Sequence, residues 1–140
     1  MTLTEAFLFA GFLALFVAMW LGVTALLGVM SGWKGLEERY RDTEERALLK
    51  LRGQSGVLNG VEYRGVLDFS ACRSGLRVSV WRLFGVRQKP FLVPWASIRA
   101  EDTNLLFFKM THLTFEGDHG QGLRLMRGVW KRLVAARSSV

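Results

Sequence analysis

The spacing of apolar side chains changes period several times along the chain. From Ala6 to Met30 they are almost continuous, broken only by Gly11, Gly22, Thr24 and Gly28, and no charged side chain falls between Ala6 and Trp33. As a helix, that stretch would span roughly 38 Å at ~1.5 Å per residue, against a hydrocarbon core of roughly 30 Å. A helix is the conformation expected there, because inside lipid every backbone N–H and C=O must bond within the segment. Residues 6–30 are therefore predicted to form a transmembrane helix. Next, Trp33, Leu36 and Tyr40 fall at i, i+3 and i+7, one face of a short helix, with Glu37 and Arg41 as a favourable i, i+4 pair. Residues 31–51 read as a juxtamembrane helix and polar connector. It is either a stalk or an element packed on the next domain, with a charge run of the kind that usually forms a solvated face.

From Arg52 the period becomes alternating. Val61, Tyr63, Leu67, Phe69 and Ala71 share one parity, while Glu62, Arg64, Asp68 and Ser70 share the other, which is the pattern of a half-buried strand. Leu76, Val78 and Val80 predict a second strand. Phe91, Val93 and Trp95 predict a third, placed at a sheet edge by Pro94. Ile98–Ala100, Leu105–Phe108, Leu113–Phe115 and Leu123–Leu125 complete six or seven short strands, with Gly85–Pro90 and Gly117–Gly122 as turns. Met126, Val129, Trp130, Leu133, Val134 and Arg137 then return to helical spacing and predict an amphipathic C-terminal helix. The expectation for 52–137 is a small α+β domain: an antiparallel barrel capped by that helix.

Two stretches resemble the bacterial pleckstrin-homology-like (PH/GRAM-like) domains found in membrane-anchored proteins. Gly75-Leu76-Arg77-Val78-Ser79-Val80 is similar to that family's Gly–Leu and alternating strand. Phe91-Leu92-Val93-Pro94-Trp95-Ala96-Ser97-Ile98 is similar to its aliphatic-Pro-aromatic strand and corner. Gly32-Trp33, Leu36 and Tyr40-Arg41 resemble the residues after the anchor in membrane-tethered members. The resemblance implies a small bent barrel closed at one end by the C-terminal helix, with Trp130 as an aromatic plug. It also implies that basic residues on a strand-connecting loop would take phosphates, which singles out Arg82, Arg87 and Lys89 around Gly85 as lipid-headgroup candidates.

Composition refines the picture. The chain has 140 residues and a formal net charge of +7, enough for one domain and too short for a multidomain enzyme. Residues 51–140 carry 14 Lys and Arg against 6 Asp and Glu, an excess that favours anionic surfaces, here a nearby membrane. Nucleic acid is not favoured, because no row of aromatics interleaves with the basic residues. The leader before Ala6 has no Lys or Arg, and no A-x-A site comes after the apolar run, so an uncleaved anchor is expected rather than a signal peptide. Lys34, Arg39, Arg41, Arg46, Lys50 and Arg52 all lie on the C-terminal side of the anchor. By the positive-inside rule the N-terminus would face out, and the domain would lie in the cytoplasm at the inner membrane. The single Cys72 agrees with a reducing compartment.

Ala6, Ala10, Ala14, Ala18 and Gly22 recur every four residues and form one stripe of small side chains, a candidate surface for helix packing by self-association or against another membrane protein. His112, His119 and Cys72 show no metal-ligand spacing, and Gly117–Gly122 lacks the Lys-Ser/Thr of a phosphate loop. No catalytic residue, metal or cofactor is expected. The expected function is a non-enzymatic adaptor or accessory subunit that binds a protein partner, with a peptide site between the C-terminal helix and the edge strand. The alternative is a module that senses anionic lipid headgroups.

Overall fold

In a computed structural model, residues 2–30, 32–81, 83, 88–105, 107–117 and 122–138 are described. Helix α1 (Leu3–Met30) carries the apolar run. Its segment Leu3–Leu26 is long and apolar enough to cross a membrane, a criterion that a signal sequence also meets. Large side chains along it, from Leu3 and Phe7 to Val29 and Met30, are mostly exposed. A left-handed Gly32 (φ +68°) turns the chain into the short helix α2 (Trp33–Arg39).

Among the described residues, seven strands form one antiparallel sheet. They are β1 (Ala47–Leu58), β2 (Val61–Cys72), β3 (Gly75–Val80), β4 (Phe91–Pro94), β5 (Ile98–Leu105), β6 (Phe108–Phe115) and β7 (Leu123–Met126), with α3 (Arg127–Ser138) after them. Their order is β4-β3-β2-β1-β7-β6-β5. The sheet curls into a half-barrel packed against α3, consistent with the expected PH-like α+β domain. The inward parity of β2 is the predicted one: Val61, Tyr63, Leu67, Phe69 and Ala71 are buried. Together with Leu76, Val78, Phe91, Val93, Leu113, Phe115, Leu123, Leu125 and Leu133 they form a single core.

Two glycines are required by close approach. A Cβ on Gly75 would collide with the Val93 carbonyl, and one on Gly122 (φ +78°) would collide with that of Leu113.

The structure departs from the sequence reading in four places. Strand β1 begins at Ala47, inside the expected connector. Its burial pattern is ragged because the register shifts near Ala47, Leu51 and Gln54, which breaks the period-2 pattern. The expected strand Leu105–Phe108 is instead divided between two strands: Leu105 ends β5 and pairs with Phe108, which begins β6. Trp95 belongs to a 3-10 turn (Trp95–Ser97), and Met126 closes β7 rather than starting the helix. Of the two alternatives for the connector, α2 takes the packed one: Trp33 and Leu36 are as buried as the strand interiors.

Candidate functional site

Register places the two ends of the half-barrel. Leu58 pairs with Leu123 and Leu123 with Leu113, so the β1–β2 turn at Asn59-Gly60 lies at the same end as the residues just after β6. Asn59 binds Gly122 there, donating its backbone N–H to the Gly122 carbonyl (2.8 Å) and accepting at its side-chain oxygen from the Gly122 N–H (3.0 Å). Helix α1 meets the domain at this end. Val29 and Met30 border an open cleft of about 320 Å³ with Gly32, Gly35, Leu36, Arg39 and Asn59.

Helix α2 closes the same end. The Trp33 ring meets Phe91 edge-on (4.9 Å between centroids) and Tyr63 at 6.1 Å, and its indole N–H donates to the Lys89 carbonyl (2.8 Å). Tyr40 packs edge-on against Phe115 and donates its hydroxyl to the Glu116 carbonyl, and Arg39 donates to that of Gly117. The connector then runs along the sheet edge. The Leu92 N–H donates to the Tyr40 carbonyl (3.0 Å), and Arg41 bridges to Phe91. Arg77 holds the Asp42 carboxylate at 2.9 Å, both side chains largely shielded from water. Glu45 accepts from the backbone N–H and hydroxyl of Ser74. The charge run expected to be a solvated face is thus a strap, with Asp42 and Glu45 pinned.

The other end is differently built. Phe107, in the β5–β6 turn, is 99 % exposed, and Phe108 is 56 % exposed. Behind this apolar tip, Arg127 donates to the Thr103 carbonyl (3.0 Å) and lies 3.5 Å from the Asp102 carboxylate. Among the described residues no strand pairs with the outer edge of β5. The other edge, β4, is covered by the connector. Just beyond that edge strand, in the turn after β4, Trp130 packs on Trp95 (6.1 Å), and the Arg137 guanidinium lies over the Trp95 ring (5.1 Å). Trp130 is half-buried in this stack. The fully buried side chain of α3 is Leu133, and the fully buried tryptophan of the domain is Trp33.

Of the lipid-headgroup candidates, Lys89 is exposed beside α2, with its backbone N–H bound to the Glu37 carboxylate (2.5 Å). Arg82 and Arg87 lie outside the described residues. Of the small-residue stripe, Ala10, Ala14, Ala18 and Gly22 are exposed and Ala6 is half-buried.

His112 is half-buried between Glu101 and Arg124 in register, and His119 lies outside the described residues. Burial pushes the Cys72 thiol up from its ordinary pKa, and the carbonyl of Cys72 accepts from the Trp95 indole (2.9 Å). No group of three or more His, Cys, Asp or Glu stands close enough to hold a metal ion among the described residues.

The exposed hairpin tip escapes a sequence reading because Leu105-Leu106-Phe107-Phe108 looks like strand interior. The clue available was the run itself: four consecutive apolar residues without alternation cannot all face one side of a sheet. Compared with protein-family models, curated proteins and solved structures, the chain matches none. The likeness to PH-like domains therefore rests on architecture, and no family is identified.

Proposed function

We propose that this chain is a single-pass inner-membrane protein whose cytoplasmic PH-like domain acts as a non-enzymatic adaptor or accessory subunit, holding a protein partner at the membrane. The observation that carries this reading is the uncovered Phe107–Phe108 tip at the end of the half-barrel remote from α1. Exposed adjacent aromatics beside an unpaired strand edge are the surface a partner strand or apolar side chain would cover. The orientation rests on the basic residues, which flank the anchor only on its domain side. The small-residue stripe from Ala6 to Gly22 is the second docking surface, for a neighbouring membrane helix.

The test is a photo-crosslinking amino acid placed at Phe107 in the full chain, in cells, against the same probe at Arg64, whose side chain is 82 % exposed. One discrete adduct from position 107 and none from 64 is expected. Equal labelling at both, or none at 107, would remove the adaptor reading. A C-terminal reporter that works only in the cytoplasm is expected to be active, and activity confined to an outward reporter would reverse the topology.

Lys89, exposed at the α1 end, supports a second reading as a sensor of anionic headgroups, where each nearby cation contributes about 1 kcal/mol. In that case native mass spectrometry of the full chain should show retained anionic lipid, lost when Arg82, Arg87 and Lys89 are all changed to Glu.

A further inference from the structure

Strand β5 ends the sheet order, and among the described residues nothing pairs with its outer side, whereas the β4 edge is taken by the connector. It contains no proline or glycine, and its register with β6 runs unshifted from Ile98↔Phe115 to Leu105↔Phe108. The backbone polarity of this edge follows from one bond. The Ser97 carbonyl accepts the Glu116 N–H (2.7 Å) and so points at β6; across the trans peptide the Ile98 N–H points away from it. Alternation along the ladder then gives the backbone groups of Arg99, Glu101 and Thr103 to β6. Those of Ile98, Ala100, Asp102 and Asn104 are directed outward.

The side chains of this edge are equally unfinished. Ala100 shares the core face with its fully buried partner Leu113, yet it is exposed, so the buried layer stops there at a methyl group. On the opposite face Arg99 and Glu101 are exposed and opposite in sign, and neither forms an ion pair among the described residues. Charged side chains ordinarily keep a strand off an edge, because pairing takes them out of water. Alternating signs turn that exclusion into selection: a strand of matched signs is admitted and others are refused.

We infer that β5 receives an added antiparallel strand from a protein partner, an extended segment with a basic residue opposite Glu101, an acidic residue opposite Arg99 and apolar residues opposite Ile98 and Ala100. This rests on the adaptor reading and names the partner's chemistry. The outward backbone groups put Ile98, Ala100 and Asp102 in hydrogen-bonded pairs with the new strand. Arg99 and Glu101 then fall in the closer, non-hydrogen-bonded pairs, where Cα atoms stand ~4.5 Å apart and cross-strand charges meet. Apolar side chains opposite Ile98 and Ala100 extend the buried layer that Phe115 and Leu113 begin. Asp102 needs no counter-charge from the partner, since Arg127 stands 3.5 Å from its carboxylate. A second copy of the chain does not meet these terms. Paired antiparallel, it would set its α1 at the opposite end of the joined sheet, where one bilayer cannot take both anchors. Paired in parallel about a two-fold axis, it would set Glu101 against Glu101.

The test places a photo-crosslinking amino acid at Asn104 of the full chain, in cells, and identifies the crosslinked peptide by mass spectrometry. The expected adduct is a different protein, joined through a segment with the stated alternation of basic, apolar and acidic residues. Two variants are compared with the parent. Ala100→Pro removes an outward N–H that β6 does not use, so the β5–β6 ladder stays whole. The double exchange Arg99→Glu with Glu101→Arg keeps the net charge and reverses the pattern. Adduct yield is expected to fall about tenfold in each. If Ala100→Pro does not accumulate as folded protein, the charge exchange decides alone. An adduct that survives the exchange overturns the inference, as does a crosslink to a second copy, to lipid or to a segment without the alternation. An adduct from Phe107 with none from Asn104 also overturns it, while the adaptor reading stands. No adduct from either position defeats the adaptor reading, and the inference falls with it.

Discussion

Two segments of this molecule exchange the roles their sequences suggest. Helix α2 and the strap after it are rich in charge and come directly after an anchor, the usual composition of a solvated tether. Yet Trp33 is wholly buried and Tyr40 nearly so. The β5–β6 tip is four apolar residues in a row, the usual composition of a core, yet Phe107 is almost fully exposed. The difference lies in what each segment is offered. An open half-barrel end needs large apolar side chains, and Trp33, Leu36 and Tyr40 supply three of them on one face. The polar faces of α2 and the strap are satisfied by the sheet edge, through Arg77 and the Lys89 and Ser74 backbones. The hairpin tip projects beyond the last core layer, away from any facing element among the described residues. Burial here depends on the space left by neighbouring elements more than on local hydrophobicity.

The comparison breaks most visibly at Trp33. Trp33→Ala removes a fully buried indole, its contacts with Phe91 and Tyr63, and the donor to the Lys89 carbonyl. The expected loss is about 3–5 kcal/mol, read by chemical denaturation of the full chain in detergent. A loss below about 1 kcal/mol would mean that α2 is a tether after all.

Trp130→Ala sharpens the same point at the opposite helix. Its side chain is only partly buried and packs on Trp95 at the margin of the core. A loss of about 1.5–2.5 kcal/mol is expected, clearly less than for Trp33. Equal losses would make the α3 tryptophan the plug that the family resemblance implies.

What was legible in the sequence was whatever had an unbroken period. The continuous apolar run became α1, the alternation from Val61 to Ala71 became β2, and the spacing of Val129, Trp130 and Leu133 became α3. Strand β1 was not legible, because its bulged register disrupts alternation around Gly53 and Gly56. Nor was the role of the connector, since a short i, i+3, i+7 face looks the same on a stalk as on a plug until the receiving cavity is known. For the candidate surfaces, residue chemistry was visible but placement was not. Arg82, Lys89 and Trp81 are near neighbours in sequence, but nothing in their spacing reveals that Leu83 accepts a hydrogen bond from Trp20 of α1.

The smallest stability effect belongs to the hairpin tip, and it is the most discriminating for function. Phe107 makes no contribution to the core, so Phe107→Ser should leave the unfolding free energy of the full chain within about 0.5 kcal/mol of the parent. Its partner-binding consequence should be large, because an exposed aromatic anchor is the type of residue on which an interface concentrates its energy. Truncating such an anchor typically costs about 2 kcal/mol or more of binding, roughly a thirtyfold loss of affinity. The combination expected is therefore unchanged unfolding together with loss of the discrete adduct formed from a crosslinker moved to the adjacent Phe108. If stability falls instead, the tip is folded onto the domain and its exposure is not a docking feature. If neither changes, Phe107 is spare apolar surface, and the reading of the tip as a partner's docking surface falls.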